Sequence, residues 1–118
     1  MGGMKSEIEL QAEAGRIRKQ LDRIEASRRR KENRKYLGKC FKYRNTFGRP
    51  EESWWLYLKI TKVGVSMSGH KFQKMHDGRF EALNENYVTG LHGWIEIPRA
   101  EFNRQWMKFC ADMKRLGV

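Results

Sequence analysis

From Lys5 to about Lys35 the chain has no proline, and Gly15 is its only interior glycine. Within that run Leu10, Ala14, Ile17, Leu21 and Ile24 recur at alternating steps of four and three. This spacing places one apolar stripe along a helix, at the repeat used by coiled coils. Ser6 followed by Glu9 forms a capping box at its start. Acidic residues at the beginning and basic ones at the end both complement the helix dipole. One helix over residues 5–35 is therefore expected, about 45 Å long. The stripe stops at Ile24, and Arg28 and Lys31 occupy its next two positions. Residues 10–24 can pair with an apolar surface, whereas residues 25–35 must face water or anions. About two heptads make a marginal coiled coil on their own. Weak homo-oligomerisation through Leu10, Ile17, Leu21 and Ile24, docking of that face on the rest of the chain, or pairing with a partner is expected.

Charge follows the same division. The formal charge is +11, made up of −2 in residues 1–15, +10 in residues 16–44 and +3 in residues 45–118. An excess confined to one 29-residue stretch is an electrostatic footprint for phosphates or an acidic protein surface. Its densest part is Arg28, Arg29, Arg30 and Lys31, flanked by Arg23, Arg34, Lys35, Lys39 and Lys42. A basic-region leucine zipper has these ingredients in the opposite order, basic part first, so that identity is rejected.

At Tyr36 the periodicity changes. Residues 39–44 alternate, with Phe41 and Tyr43 on one face. Residues 45–50 (Asn-Thr-Phe-Gly-Arg-Pro) supply turn chemistry. Ser53–Val65 reads as the strongest strand. Trp54, Leu56, Leu58 and Ile60 form its expected buried face; Trp55, Tyr57, Lys59 and Thr61 lie opposite. Residues 70–75 and 79–83 form a hairpin about a two-residue Asp77-Gly78 turn. That register sets Met75 against Phe80, Phe72 against Leu83 and Lys74 against Glu81. Tyr87-Val88 and residues 94–97 are shorter strands. Pro98 suits the first turn of a last helix, where Phe102, Trp106, Phe109, Met113 and Leu116 make a core-packing stripe that ends at Gly117. Cys110 is expected to be buried on that helix.

The fold class is α+β: a long N-terminal helix, a small curved antiparallel sheet or SH3/OB-like barrel, and a C-terminal packing helix. Residues 1–35 form a basic amphipathic helix and 36–118 an aromatic β-rich domain. A hydrophobic fraction of 39% supports a packed core despite the charge. No run of about 18 apolar residues exists, so no membrane span is expected. The N-terminus lacks the apolar region of a signal peptide. Met1–Ser6 fits a myristoylation signal in form, but a start at Met4 accounts for the same residues, and no lipid anchor is expected.

From Tyr36 on, three segments resemble small phage and prophage proteins that carry a charged N-terminal helix. They are residues 36–45 (Tyr-Leu-Gly-Lys-Cys-Phe-Lys-Tyr-Arg-Asn), 54–59 (Trp-Trp-Leu-Tyr-Leu-Lys) and 93–97 (Gly-Trp-Ile-Glu-Ile). The resemblance implies a shared fold, a phage-like origin and a cytoplasmic location in the host cell. It brings no catalytic residues.

No Walker loop, nucleophile elbow or dinucleotide fingerprint is present. His70, His76 and His92 have no metal-ligand spacing with each other or with Cys40 and Cys110. No enzymatic activity, cofactor or metal is expected. The expected function is non-enzymatic binding of nucleic acid or a host nucleoprotein. The binding residues are Arg23, Arg28, Arg29, Arg30, Lys31, Arg34, Lys35, Lys39 and Lys42, with Trp55, Tyr57 and Lys59 as a stacking face or, equally, as a face covered by a barrel or a docked helix. A phage-encoded, anti-CRISPR-like inhibitor that occludes an acidic or nucleic-acid-binding cleft of a defence protein is the alternative. A structural or assembly protein is the second alternative.

Overall fold

A computed structural model describes residues 6–46, 49–83 and 86–117. Helix α1 runs from Glu7 to Arg34, and the Ser6 hydroxyl accepts the Glu9 N–H at its start. It is continuous, and none of its residues is buried. Strands β1 (Cys40–Asn45), β2 (Trp54–Val63), β3 (Met67–Lys74) and β4 (Phe80–Ala82) form an antiparallel meander. Strand β5 (Tyr87–Val88) returns beside the start of β3, and β6 (Ile95–Ile97) crosses to the far edge beside β1. The order is β4-β3-β2-β1-β6, an open sheet of 6 strands. Helix α2 (Arg99–Arg115) follows Pro98. Among the described residues, no helix is long and apolar enough to cross a membrane. The expected 45–50 turn falls partly on residues 47 and 48, which lie outside the described residues; on either side of them the Arg49 N–H donates to the Thr46 carbonyl.

The α+β architecture agrees with the sequence reading, but the sheet does not close into a barrel. Its aromatic side chains are buried on two sides instead. On one face Cys40, Tyr57, Phe72, Phe80 and Ile97 meet Phe102 and Phe109 of α2, with Trp55, Trp106 and Met113 packed around them. Phe72 is the centre, stacked on Tyr57 at 5.2 Å and on Phe109 at 4.8 Å. On the other face Phe41, Leu58, Ile60 and Met67 are covered by Tyr36, Val63, Val88, Leu91 and Trp94.

Of the two readings of the Trp55–Tyr57 face, open for stacking or covered by a docked element, two-sided burial selects the covered one. Tyr57 is buried, and Trp55 is half-buried against the same core. The long strand is apolar on both faces, so alternation alone does not choose between them.

The hairpin register also differs, by one residue. Phe72 pairs with Ala82, Gln73 with Glu81 and Lys74 with Phe80. Met75 donates to the carbonyl of Arg79 across a three-residue loop, and Gly78 sits in the left-handed region at φ +88. This is the bulged three-residue hairpin, not the two-residue turn that Asp77-Gly78 also suits. The slip turns Phe80 onto the Phe72 side, into the core under α2.

In α2 the Phe102, Trp106, Phe109, Met113 stripe packs as expected, while Leu116 and Cys110 are exposed. Cys110 lies about 80° around the helix from Phe102, beyond the edge of the packed stripe.

Candidate nucleic-acid interface

Because α1 is one unbroken helix, each of its residues has a defined direction. Successive residues turn by about 100°. Arg28, Arg29, Arg30 and Lys31 therefore point in four different directions and do not share a face. The shared face is elsewhere. Arg16, Lys19, Arg23, Arg30 and Arg34 fall within one sector of about 60°, a ridge about 27 Å long. No carboxylate lies in that sector between Arg16 and Arg34: Asp22, Glu25 and Glu32 all project from other sides. Arg16, Lys19, Gln20 and Arg23 line a shallow groove of about 340 Å³ along it.

Several other basic residues are engaged within the chain. Glu25 takes Arg28 on one oxygen at 2.5 Å and Arg29 on the same oxygen at 3.1 Å; Glu32 takes Arg28 at 2.7 Å. The hydrogen bond from Arg28, with a smaller contribution from Arg29, holds the Glu25 carboxyl below its ordinary range. The reciprocal contacts raise Arg28 further. Lys39 pairs with Glu96 at 3.3 Å and Lys42 with Glu101 at 3.4 Å. Lys42 also lies over the Trp55 ring, 4.8 Å from its centroid, and Lys35 over Tyr36 at 5.0 Å.

The expected binding residues thus separate into three groups. Arg23, Arg30 and Arg34 stand on the ridge. Arg28, Arg29, Lys31 and Lys35 belong to α1 and the turn after it but point elsewhere. Lys42, Trp55, Tyr57 and Lys59 belong to the sheet, and Lys39 immediately precedes it. Tyr57 is covered, and burial first, then Glu101, holds its phenol above the usual range. Trp55 keeps an exposed part at a polar recess of about 410 Å³ that it shares with Ser53, Lys74 and His76. Arg16 and Lys19 were not among the expected binding residues. Their signal is present in the sequence as the spacing 16, 19, 23, 30, 34, which becomes visible when charge is counted by helix face and not by segment.

The ridge is held relative to the sheet by the last turn of α1. The Asn33 side chain donates to the carbonyls of Gly64 at 2.9 Å and Val65 at 3.2 Å in the β2–β3 loop. Gly38 N–H donates to Ile60 at 2.8 Å, and Ile60 N–H donates back to Lys39. Arg29 and Asn33 line a cleft of about 350 Å³ against Ser66, Met67, Val88 and Thr89. No group of three or more metal-binding side chains converges among the described residues. Comparison with protein-family models, curated proteins and solved structures finds no match to this chain.

Proposed function

We propose that this is a non-enzymatic binding protein that lays the basic ridge of α1 along the phosphate backbone of a nucleic acid, free or within a nucleoprotein. The observation that carries this reading is the carboxylate-free row Arg16, Lys19, Arg23, Arg30 and Arg34 on an exposed helix. Five like charges on one face repel each other. A polyanion relieves that repulsion and releases its own counterions. The ridge carries no aromatic side chain to intercalate or stack, so it reads backbone and shape with little dependence on sequence.

The test is fluorescence anisotropy with random duplex and random single-stranded oligonucleotides at several salt concentrations. Engagement of all five ridge residues gives a slope of log K against log salt of about −4.5 on duplex DNA. Replacing all five with Ser should remove most of the affinity and flatten that slope. Affinity unchanged in this variant, or independent of salt, would overturn the reading. Binding confined to an acidic host protein would move it to the inhibitor expected as the alternative.

A further inference from the structure

Helix α1 has a second surface that its own domain does not cover. Leu10, Ile17, Leu21 and Ile24 are 52–59% exposed. Arg29 and Asn33, through which α1 meets the sheet, lie about 120° around the helix from that stripe. The expected docking of the stripe on the chain's own domain is therefore not what the fold does.

We infer that a second copy of this chain occupies the stripe, with the two α1 helices antiparallel. The argument is charge complementarity along the helix. Extended in both directions, the apolar repeat reads Glu7, Leu10, Ala14, Ile17, Leu21, Ile24, Arg28, Lys31. In a parallel pair these residues meet their own copies: Glu7 faces Glu7, Arg28 faces Arg28 and Lys31 faces Lys31. In an antiparallel pair one register keeps every apolar residue in the seam. Ile17 then faces Leu21, Ala14 faces Ile24, Leu10 lies under the aliphatic stem of Arg28, and Glu7 faces Lys31, each layer occurring twice. Like charges meet at Arg18, which faces its own copy near the two-fold axis at the edge of the seam.

The fold also accommodates this arrangement. Pairing over residues 7–31 gives a seam about 36 Å long, with each β-domain, held at Arg29 and Asn33, level with the first turn of the other helix but about 120° around from the seam. The ridge of each chain stays outside the seam. Four apolar layers, two of them containing Ala14, make a small interface, so association is weak.

Sedimentation velocity of the full chain should show a shift from one chain towards two between about 1 μM and about 1 mM. Ile17→Asp with Leu21→Asp should abolish the shift; α1 has no buried residue, so the domain stays folded. Glu7→Lys should weaken association several-fold, and adding Lys31→Glu should restore it. Orientation follows from a spin label at Ser27→Cys in a Cys110→Ser chain. Antiparallel helices separate the two labels by about 25 Å, parallel helices by about 10–15 Å. A monomer at all concentrations would leave the stripe to a different partner and overturn the inference. So would the short label distance, or association unaffected by Ile17→Asp with Leu21→Asp.

Discussion

Asn33, on the last turn of α1, donates its side-chain amide to the carbonyl oxygen of Gly64 at 2.9 Å, across 31 residues of sequence. With the second bond to Val65, this contact ties a helix with no buried residue to a sheet that supplies most of the buried core. Asn33→Ala should leave the β-domain folded but release the helix end. Each lost bond is worth about 1 kcal/mol. Limited trypsin digestion should then cut faster at Arg34 and Lys35, and backbone amide exchange should rise over residues 30–38. Unchanged cleavage there would mean that the Gly38–Ile60 bonds alone hold the junction.

At Gly69 the backbone of β2 occupies the space a side chain would need. A Cβ at this position would sit 1.9 Å from the carbonyl oxygen of Lys59, a backbone atom that cannot swing aside. Gly69→Ala should destabilise the domain by about 3 kcal/mol or more, since relief requires the two strands to part. Gly64→Ala, whose nearest neighbour would be 3.8 Å away, should cost far less. Urea unfolding followed by tryptophan fluorescence separates the two.

The two cysteines should react very differently. Cys110 is exposed, while Cys40 lies in the core beneath α2, where burial raises its thiol pKa. The thiolate is the reactive form, so both access and protonation protect Cys40. A thiol reagent should modify one cysteine per native chain at pH 8 and two after denaturation. Fast modification of Cys40 in the native protein would show that the core opens there.

Among the basic residues, engagement by carboxylates should govern the effect of replacement. Arg30→Ser with Arg34→Ser removes two ridge charges and should weaken nucleic-acid binding about tenfold or more, with a salt slope shallower by about two. Arg28→Ser with Arg29→Ser removes the same formal charge but two groups already paired with Glu25 and Glu32, and should weaken binding less. Tyr57→Ala should act through stability, by about 3 kcal/mol, because the ring is stacked on Phe72 inside the core. Equal losses of affinity in the two arginine pairs would show that the whole girth of the helix is engaged.

What the sequence by itself determined is what neighbouring residues decide among themselves. The span of α1, its cap at Ser6, its apolar stripe and its basic end follow from spacing and local hydrogen bonding. The same holds for α2, whose Phe102–Met113 stripe meets the core as read. The basic ridge was equally present, because a helix converts spacing into direction without help from the rest of the fold. Tertiary structure alone decided the points where two local solutions compete. Asp77-Gly78 suits a two-residue turn and a three-residue loop alike, and the core needed Phe80 on the α2 side, which selected the longer loop. The strand Trp54–Val63 is apolar on both faces, and only the arrival of α2 on one and of Tyr36, Leu91 and Trp94 on the other buried Tyr57 and left the sheet open. Those covering elements lie up to dozens of residues away in the chain, beyond the reach of any local pattern.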